Sequence, residues 1–266
     1  MLDWVYNTSP WVSSGVFVLG GILVSGIAVL VMTCLVSART RRGHNEFISF
    51  AVTNIAVVYA VLLAFIGVAA WEDLSKASDL VATEAGVVQN LYIDAEGFSD
   101  KRVADQVRNE LRSYIQAVLD REWPEQQAGG ISRAGFPALR QLRGTLASLD
   151  PKTQGDAIVM QESLRSLNDL FTARRSRLDA ASAHIPDAVW WVVFFLGLLT
   201  VGFTALLGMD SAWMHFTVIG GLTTAMVVVI ALIVQLDYPF RGTISVSPEP
   251  FEQIIPNVGG DHGPVQ

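Results

Sequence analysis

Four long stretches of the chain contain no Asp, Glu, Lys or Arg: residues 4–38, 47–71, 188–209 and 211–236. Each is mainly apolar and holds about 20 residues or more, enough to cross roughly 30 Å of hydrocarbon at about 1.5 Å per residue. They predict four transmembrane helices over about residues 12–36, 47–70, 188–207 and 216–236. In the first, Gly21 and Ser25 form a small-xxx-small pair that lets helices approach closely. Pro186, Trp190 and Trp191 mark the start of the third, with aromatic rings at headgroup level. After the fourth, Pro239 and Gly242 stop the helix.

Between the second and third spans the pattern changes to amphipathic and helical. Leu74, Ala77, Val81, Val88 and Leu91 repeat at steps of three and four, the seam of a packed helix continuous with the second span. Val103, Val107, Leu111, Tyr114 and Val118 mark another helix, and Pro124, Gly129, Gly130 and Gly135 are expected in the loop after it. Leu139, Leu142, Leu146 and Leu149 predict a third, and Ile158, Leu164, Leu167, Phe171 and Leu178 a fourth. No strand or hairpin pattern appears. The expected fold is an all-α membrane protein with a helical bundle inserted between the second and third spans. Its parts are residues 1–70, the bundle 71–187, the last two spans 188–242 and an extended tail 243–266.

Composition sharpens this picture. Charged residues are 16% of the 266, against about a quarter in soluble domains. A soluble enzyme, a disulfide scaffold and a disordered tail are excluded. The net charge of −7 argues against a nucleic-acid partner. The single cysteine, Cys34, lies inside the first span and can form no internal disulfide. The first ten residues lack Lys and Arg, so the first stretch reads as a span and not as a signal peptide. Arg39, Arg41 and Arg42 sit in a short loop, which points to a cytoplasmic loop with the bundle outside. The expected location is a bacterial inner (plasma) membrane.

Catalytic chemistry is not visible. There is no phosphate-binding glycine loop and no metalloprotease motif, and His44, His184, His215 and His262 lie in separate segments. No enzyme activity, cofactor or metal is expected. His215, at the start of the fourth span, is assigned to the membrane interface.

Polar residues inside the hydrocarbon carry the functional signal, because they are costly unless paired or wet. Glu72 follows Asn54 by 18 residues, about five turns at about 100° per residue, so both share one face of the second span. Phe47, Val58, Val61 and Phe65 fall on or near that face. In an oligomer it would line a pore: a polar step, an apolar constriction able to gate by dewetting, and a carboxylate at the mouth. Alternatively, Asn54 hydrogen-bonds a neighbouring span while the apolar residues meet lipid. Glu84 occupies a seam position, and Arg174, Arg175 and Arg177 are its candidate partners, in a structural or gating pair. Asp237 and Arg241, four apart, could pair across one turn or cap neighbouring subunits. Trp123 is read as a core anchor at a helix end.

Several of these residues together resemble a known family. They are Trp71, Glu84-Ala85, Glu122-Trp123, Arg174 to Leu178, Ile185-Pro186 with Trp190, and the closing Leu236-Asp237-Tyr238-Pro239-Phe240-Arg241-Gly242 with Val246-Ser247-Pro248-Glu249-Pro250-Phe251. The pattern resembles the bestrophin-like domain family over about residues 45–255, the closing motif being its most specific part. The resemblance implies a pentameric anion channel with four spans per subunit, the second lining a narrow apolar neck. It also implies a cytoplasmic insert, opposite to the loop charges. Glu72, Asp73, Asp187 and Asp237 would favour cations at one mouth. The leading expectation is a homo-oligomeric channel in the lipid bilayer conducting an unassigned inorganic ion. The alternative is a membrane-anchored sensor or scaffold whose bundle binds a ligand or partner protein.

Overall fold

The computed structural model describes residues 3–254, and all regular structure among them is helical. In chain order the helices are α1 (Asp3–Tyr6), α2 (Pro10–Leu35), α3 (Ala38–Gly43), α4 (Asn45–Asp94) and α5 (Lys101–Ala117). Then come α6 (Trp123–Gln127), α7 (Phe136–Ala147), α8 (Gln154–Ala181), α9 (Asp187–Ala205), α10 (Ala212–Leu236) and α11 (Glu249–Glu252). A 3-10 turn (Ala95–Gly97) follows α4, and a π-helical turn (Val118–Glu122) joins α5 to α6. The protein is an all-α membrane protein, and α2, α4, α9 and α10 are the four helices long and apolar enough to span.

The chain forms two compact units: Met1–Glu72 with His184–Asp237, and Asp73–Ala183 with Tyr238–Gln266. In the first, α2 lies against α10 where the small residues are. A Cβ on Gly21 would sit 2.9 Å from Val227 Cγ2, so only glycine permits this approach. Ser25 Oγ is 2.9 Å from the Gly21 carbonyl oxygen and 2.7 Å from Thr223 Oγ1, donating to the first and accepting from the second. Such a pair satisfies both hydroxyls where no water is available. The first part of α4 turns Tyr59, Leu63, Ile66 and Ala70 inward. The turn of α10 begins at Ser211, whose side chain accepts from the Met214 N–H.

The second unit has its own core. The expected seam residues Ala77, Val81, Val88 and Leu91 are fully buried, with Val107, Leu111, Val118, Leu139, Leu142, Leu146 and Leu167 around them. Asp100 caps α5 and Thr153 caps α8 through their side-chain oxygens.

Three expectations for this unit are corrected. Pro124 stands inside α6, not in a loop; at the first or second helical position its missing N–H costs no hydrogen bond, and the π turn before it lets the helix resume. Ile158 is exposed, because α8 buries Leu167, Leu170, Ala173, Arg174 and Arg177. The tail is not simply extended: Val246, Phe251 and Ile254 join the bundle core and Glu249–Glu252 is helical. Residues 255–266 lie outside the described residues.

Candidate functional site

The second span divides cleanly into two faces. Tyr59, Leu63, Ile66 and Ala70 face the spans of their own unit. Phe47 (76% exposed), Asn54, Val58, Val61, Phe65 (73% exposed) and Glu72 all lie on the solvent-accessible side of the single chain. At about 100° per residue the two sets are centred well over a quarter-turn apart, so the exposed face is free to meet something outside the subunit. Asn54 makes no hydrogen bond to a neighbouring span among the described residues. Its Nδ2 donates to the Phe50 carbonyl at 2.7 Å on the same helix, and the amide stays exposed.

The continuation of α4 in the second unit carries Glu84 into a closed ionic cluster. Arg177 on α8 donates from Nε to Glu84 Oε2 at 2.7 Å and from Nη2 to Glu122 Oε2 at 2.7 Å. Its Nη1 donates to Gln126 Oε1 at 3.0 Å. Glu122 Oε1 also accepts from Arg174 Nη2 at 2.5 Å and from the Gly135 N–H at 2.8 Å. Tyr114 donates its hydroxyl to Glu84 Oε1. Glu84, Glu122, Arg177 and Tyr114 are fully buried, with Arg174 nearly so. Arg175 is exposed and takes no part.

Two carboxylates and two guanidinium groups balance in charge. Burial alone would push the Arg177 guanidinium down, but Glu84 and Glu122 outweigh it and hold the group above its ordinary range. Burial, then the Glu84 charge, pushes the Tyr114 phenol well up, so it stays a neutral donor. Every carboxylate oxygen of Glu84 and Glu122 is engaged by a donor within the cluster. Glu122, Tyr114 and Gln126 are absent from the sequence-derived site. Glu122 had a signal: it continues the spacing of Val107, Leu111, Tyr114 and Val118 by four, an acid on a seam just as Glu84 is.

Trp123 is buried, as a core anchor requires, edge-on to Phe240 with ring centroids 5.5 Å apart. Asp237, in the first unit, accepts the Ile185 N–H at 2.6 Å and so ties the approach to α9 to the end of α10. Burial pushes its carboxyl up, offset in part by that N–H and by Trp190. Arg241, in the second unit, stacks over the Tyr238 ring at 5.2 Å. His215, in the first turn of α10, is buried among the subunit's own residues. Among the described residues no group of His, Cys, Asp and Glu could hold a metal ion.

The family model for the Bestrophin-like domain matches residues 20–251. The chain belongs to this family. The match begins at Gly20, inside the first span, so the likeness reaches further toward the N-terminus than the motifs alone suggest. A bacterial Bestrophin homolog from Klebsiella pneumoniae carrying a single substitution has a TM-score of 0.70 at 14% identity, over 94% of this chain and 97% of that one. Another structure of a bacterial Bestrophin homolog from the same organism gives 0.65 at 15% identity, over 91% and 96%. No curated protein matches in sequence. At this identity the solved structures establish a shared bestrophin-like fold.

Proposed function

We propose that this bestrophin-like chain is the subunit of a homo-oligomeric ion channel, its conduction path lined by the exposed face of α4 from Phe47 to Glu72. The observation that carries the reading is the split of α4: one face is spent on the subunit's own spans, and the other, with an exposed amide at Asn54, is not. An amide facing lipid is costly, whereas on a wet axis shared by several copies it is not. Val58, Val61 and Phe65 then form an apolar constriction that gates by dewetting, and Glu72 stands at its mouth. A ring of five is the assembly the family resemblance favours. The carboxylate favours cations and the resemblance favours anions, so the wild-type reversal potential assigns the ion.

The test starts with native mass in nanodiscs, counted in copies of the 28.9 kDa chain. A ring of four or more is expected, and a monomer or dimer removes the axis. In proteoliposomes, Asn54→Leu is expected to lower ion flux and Glu72→Gln to shift selectivity. Wild-type flux with unchanged selectivity in both variants sinks the pore assignment.

The sensor alternative would place a ligand in the cleft of about 430 Å³ lined by residues such as Phe98, Asp100, Lys152 and Asp156. There Asp156 already accepts from the Ser99 N–H and the Thr153 hydroxyl, and Asp100 from Arg102. The cleft offers no uncommitted buried polar group, and the channel reading is preferred.

A further inference from the structure

The exposed face of α4 has an anchor on the opposite side of the same helix. Asn45 opens α4, and Asn54 follows it by nine residues, about two and a half turns at about 100° per residue. Glu72 follows Asn45 by 27 residues, about seven and a half turns, so both polar residues of the exposed face lie opposite Asn45. Leu63, 18 residues on and about five full turns, shares the Asn45 side and is buried.

Asn45 is held by the backbone of another segment of the first unit. Its Nδ2 donates to the Gly208 carbonyl at 3.0 Å, and its Oδ1 accepts the Gly208 N–H at 2.8 Å. Gly208 lies in the turn between α9 and α10. A carboxamide carries a donor and an acceptor side by side, and here they match the C=O and N–H of one residue. A Cβ on Gly208 would lie 2.7 Å from the Arg42 nitrogen and 3.1 Å from the Arg41 carbonyl carbon, so only glycine lets the turn come this close. The approach also covers Arg41, which is only 6% exposed. Arg42 pairs with Asp210 at 2.5 Å at the same turn, but both side chains are half exposed or more, and such a pair holds little.

Further along α4 the inward face is held by packing. A Cβ on Gly197 of α9 would lie 3.0 Å from the Tyr59 hydroxyl oxygen, and one on Gly67 would lie 3.7 Å from Ile233 of α10. Apolar packing is non-directional and tolerates a small turn of one helix about its axis. A two-point hydrogen bond does not, because its strength depends on angle as well as distance. We infer, on the pore reading of α4, that Asn45 is the positioning residue of the conduction path. Its grip on Gly208 sets the rotation of α4, and with it whether Asn54 and Glu72 look down the axis. Without that grip the helix turns, and Val58 or Val61, which flank the Asn54–Glu72 line on opposite sides, comes toward the centre.

The test reads rotation directly. In a Cys34→Ser background, Val58→Cys and Val61→Cys are placed singly in the full chain in nanodiscs, and their rates with a charged thiol reagent are measured. With Asn45 in place both are expected to react, because a wetted thiol ionises and meets the reagent. In Asn45→Leu, close in shape, native mass is expected to stay unchanged. The ratio of the two rates is expected to shift about tenfold, the weight of the two neutral hydrogen bonds lost. Lost stability alone would change both rates in the same sense and leave their ratio. Asn45→Asp keeps the acceptor for the Gly208 N–H but loses the donor, and is expected to shift the ratio the same way by less. It reads the same contact if Asn45→Leu does not assemble. Arg42→Gln, which breaks only the exposed pair, keeps the wild-type ratio. Two unreactive cysteines with Asn45 in place overturn the pore reading and this inference together. Reactive cysteines whose ratio the Asn45 variants leave unmoved overturn the inference alone. So does a shift in Arg42→Gln as large as theirs.

Discussion

Arg177 in the second unit and Arg41 in the first are both withdrawn from water, but their surroundings differ in kind. Arg177 meets Glu84, Glu122 and Gln126, and each of its nitrogens has an acceptor. The Nε and Nη1 of Arg41 meet none among the described residues. A buried charge with matched partners can fix helices against one another. A buried charge without them adds nothing to the hold between helices and is kept at a cost. The contrast separates a charge that holds the bundle together from one that the fold carries without such partners, and burial alone would have confused the two.

The largest effects are expected where the closed cluster is broken. Arg177→Met leaves Glu84 and Glu122 buried and opposed only by Arg174, and is expected to cost about 3–5 kcal/mol in denaturant unfolding of the detergent-solubilised protein. Arg41→Met, measured beside it, is expected to be neutral or stabilising, since it removes a buried charge whose Nε and Nη1 have no partner. A loss of under about 1 kcal/mol for the first, or a loss for the second as large as the first, would erase the contrast.

Phe251 tests whether the tail belongs to that closed region. It is fully buried, with the Arg177 guanidinium 5.9 Å above its ring. Phe251→Ala is expected to cost about 3–5 kcal/mol, as for other buried aromatic truncations. A tail merely lying on the surface would show almost no change. Glu84→Gln should be milder, about 1.5–3 kcal/mol, because the side-chain shape survives while Tyr114 and Arg177 lose a charged acceptor. Tyr114→Phe in the Glu84→Gln background should then cost less than Tyr114→Phe alone, which a double-mutant cycle reads directly.

Much of this architecture was legible in the residues. The charge-free stretches gave four spans, and the seam from Ala77 to Leu91 gave the first bundle helix, because apolar periodicity is imposed by burial itself. Glu84 stood out as an acid on that seam. The tail was harder: proline and glycine near Phe251 signal loop locally, and only contacts distant in sequence bury it. Ile158 was misplaced for the converse reason, since Arg174 and Arg177 claim the inward face of α8 and an apolar residue is left outside. Arg41 counted at the sequence level only as a loop charge. Its burial depends on Gly208 and Asn45, more than 160 residues apart, a pairing with no local signature.

Two aspartates extend the comparison to pH, with smaller effects of opposite sign. Asp156 is exposed, and the Ser99 N–H and the Thr153 hydroxyl hold its carboxyl below the usual range. Its ionised form is thus favoured by folding, and its contribution is present above about pH 3.9 and lost as pH falls through the lowered folded value. Asp237 is buried, and burial raises its carboxyl. The folded state then binds its proton more tightly than the unfolded chain, so stability falls as pH rises from about 3.9 through the raised folded value. The wild-type minus Asp156→Asn difference in stability should shrink toward acid, and the wild-type minus Asp237→Asn difference should grow there. Native-state hydrogen exchange at the start of α8 and at residues 185–190 reads each locally. Differences of the same sign at both sites would mean that hydrogen bonding to Ile185, and not burial, governs Asp237, and that carboxylate would then stand with the closed polar groups of the bundle.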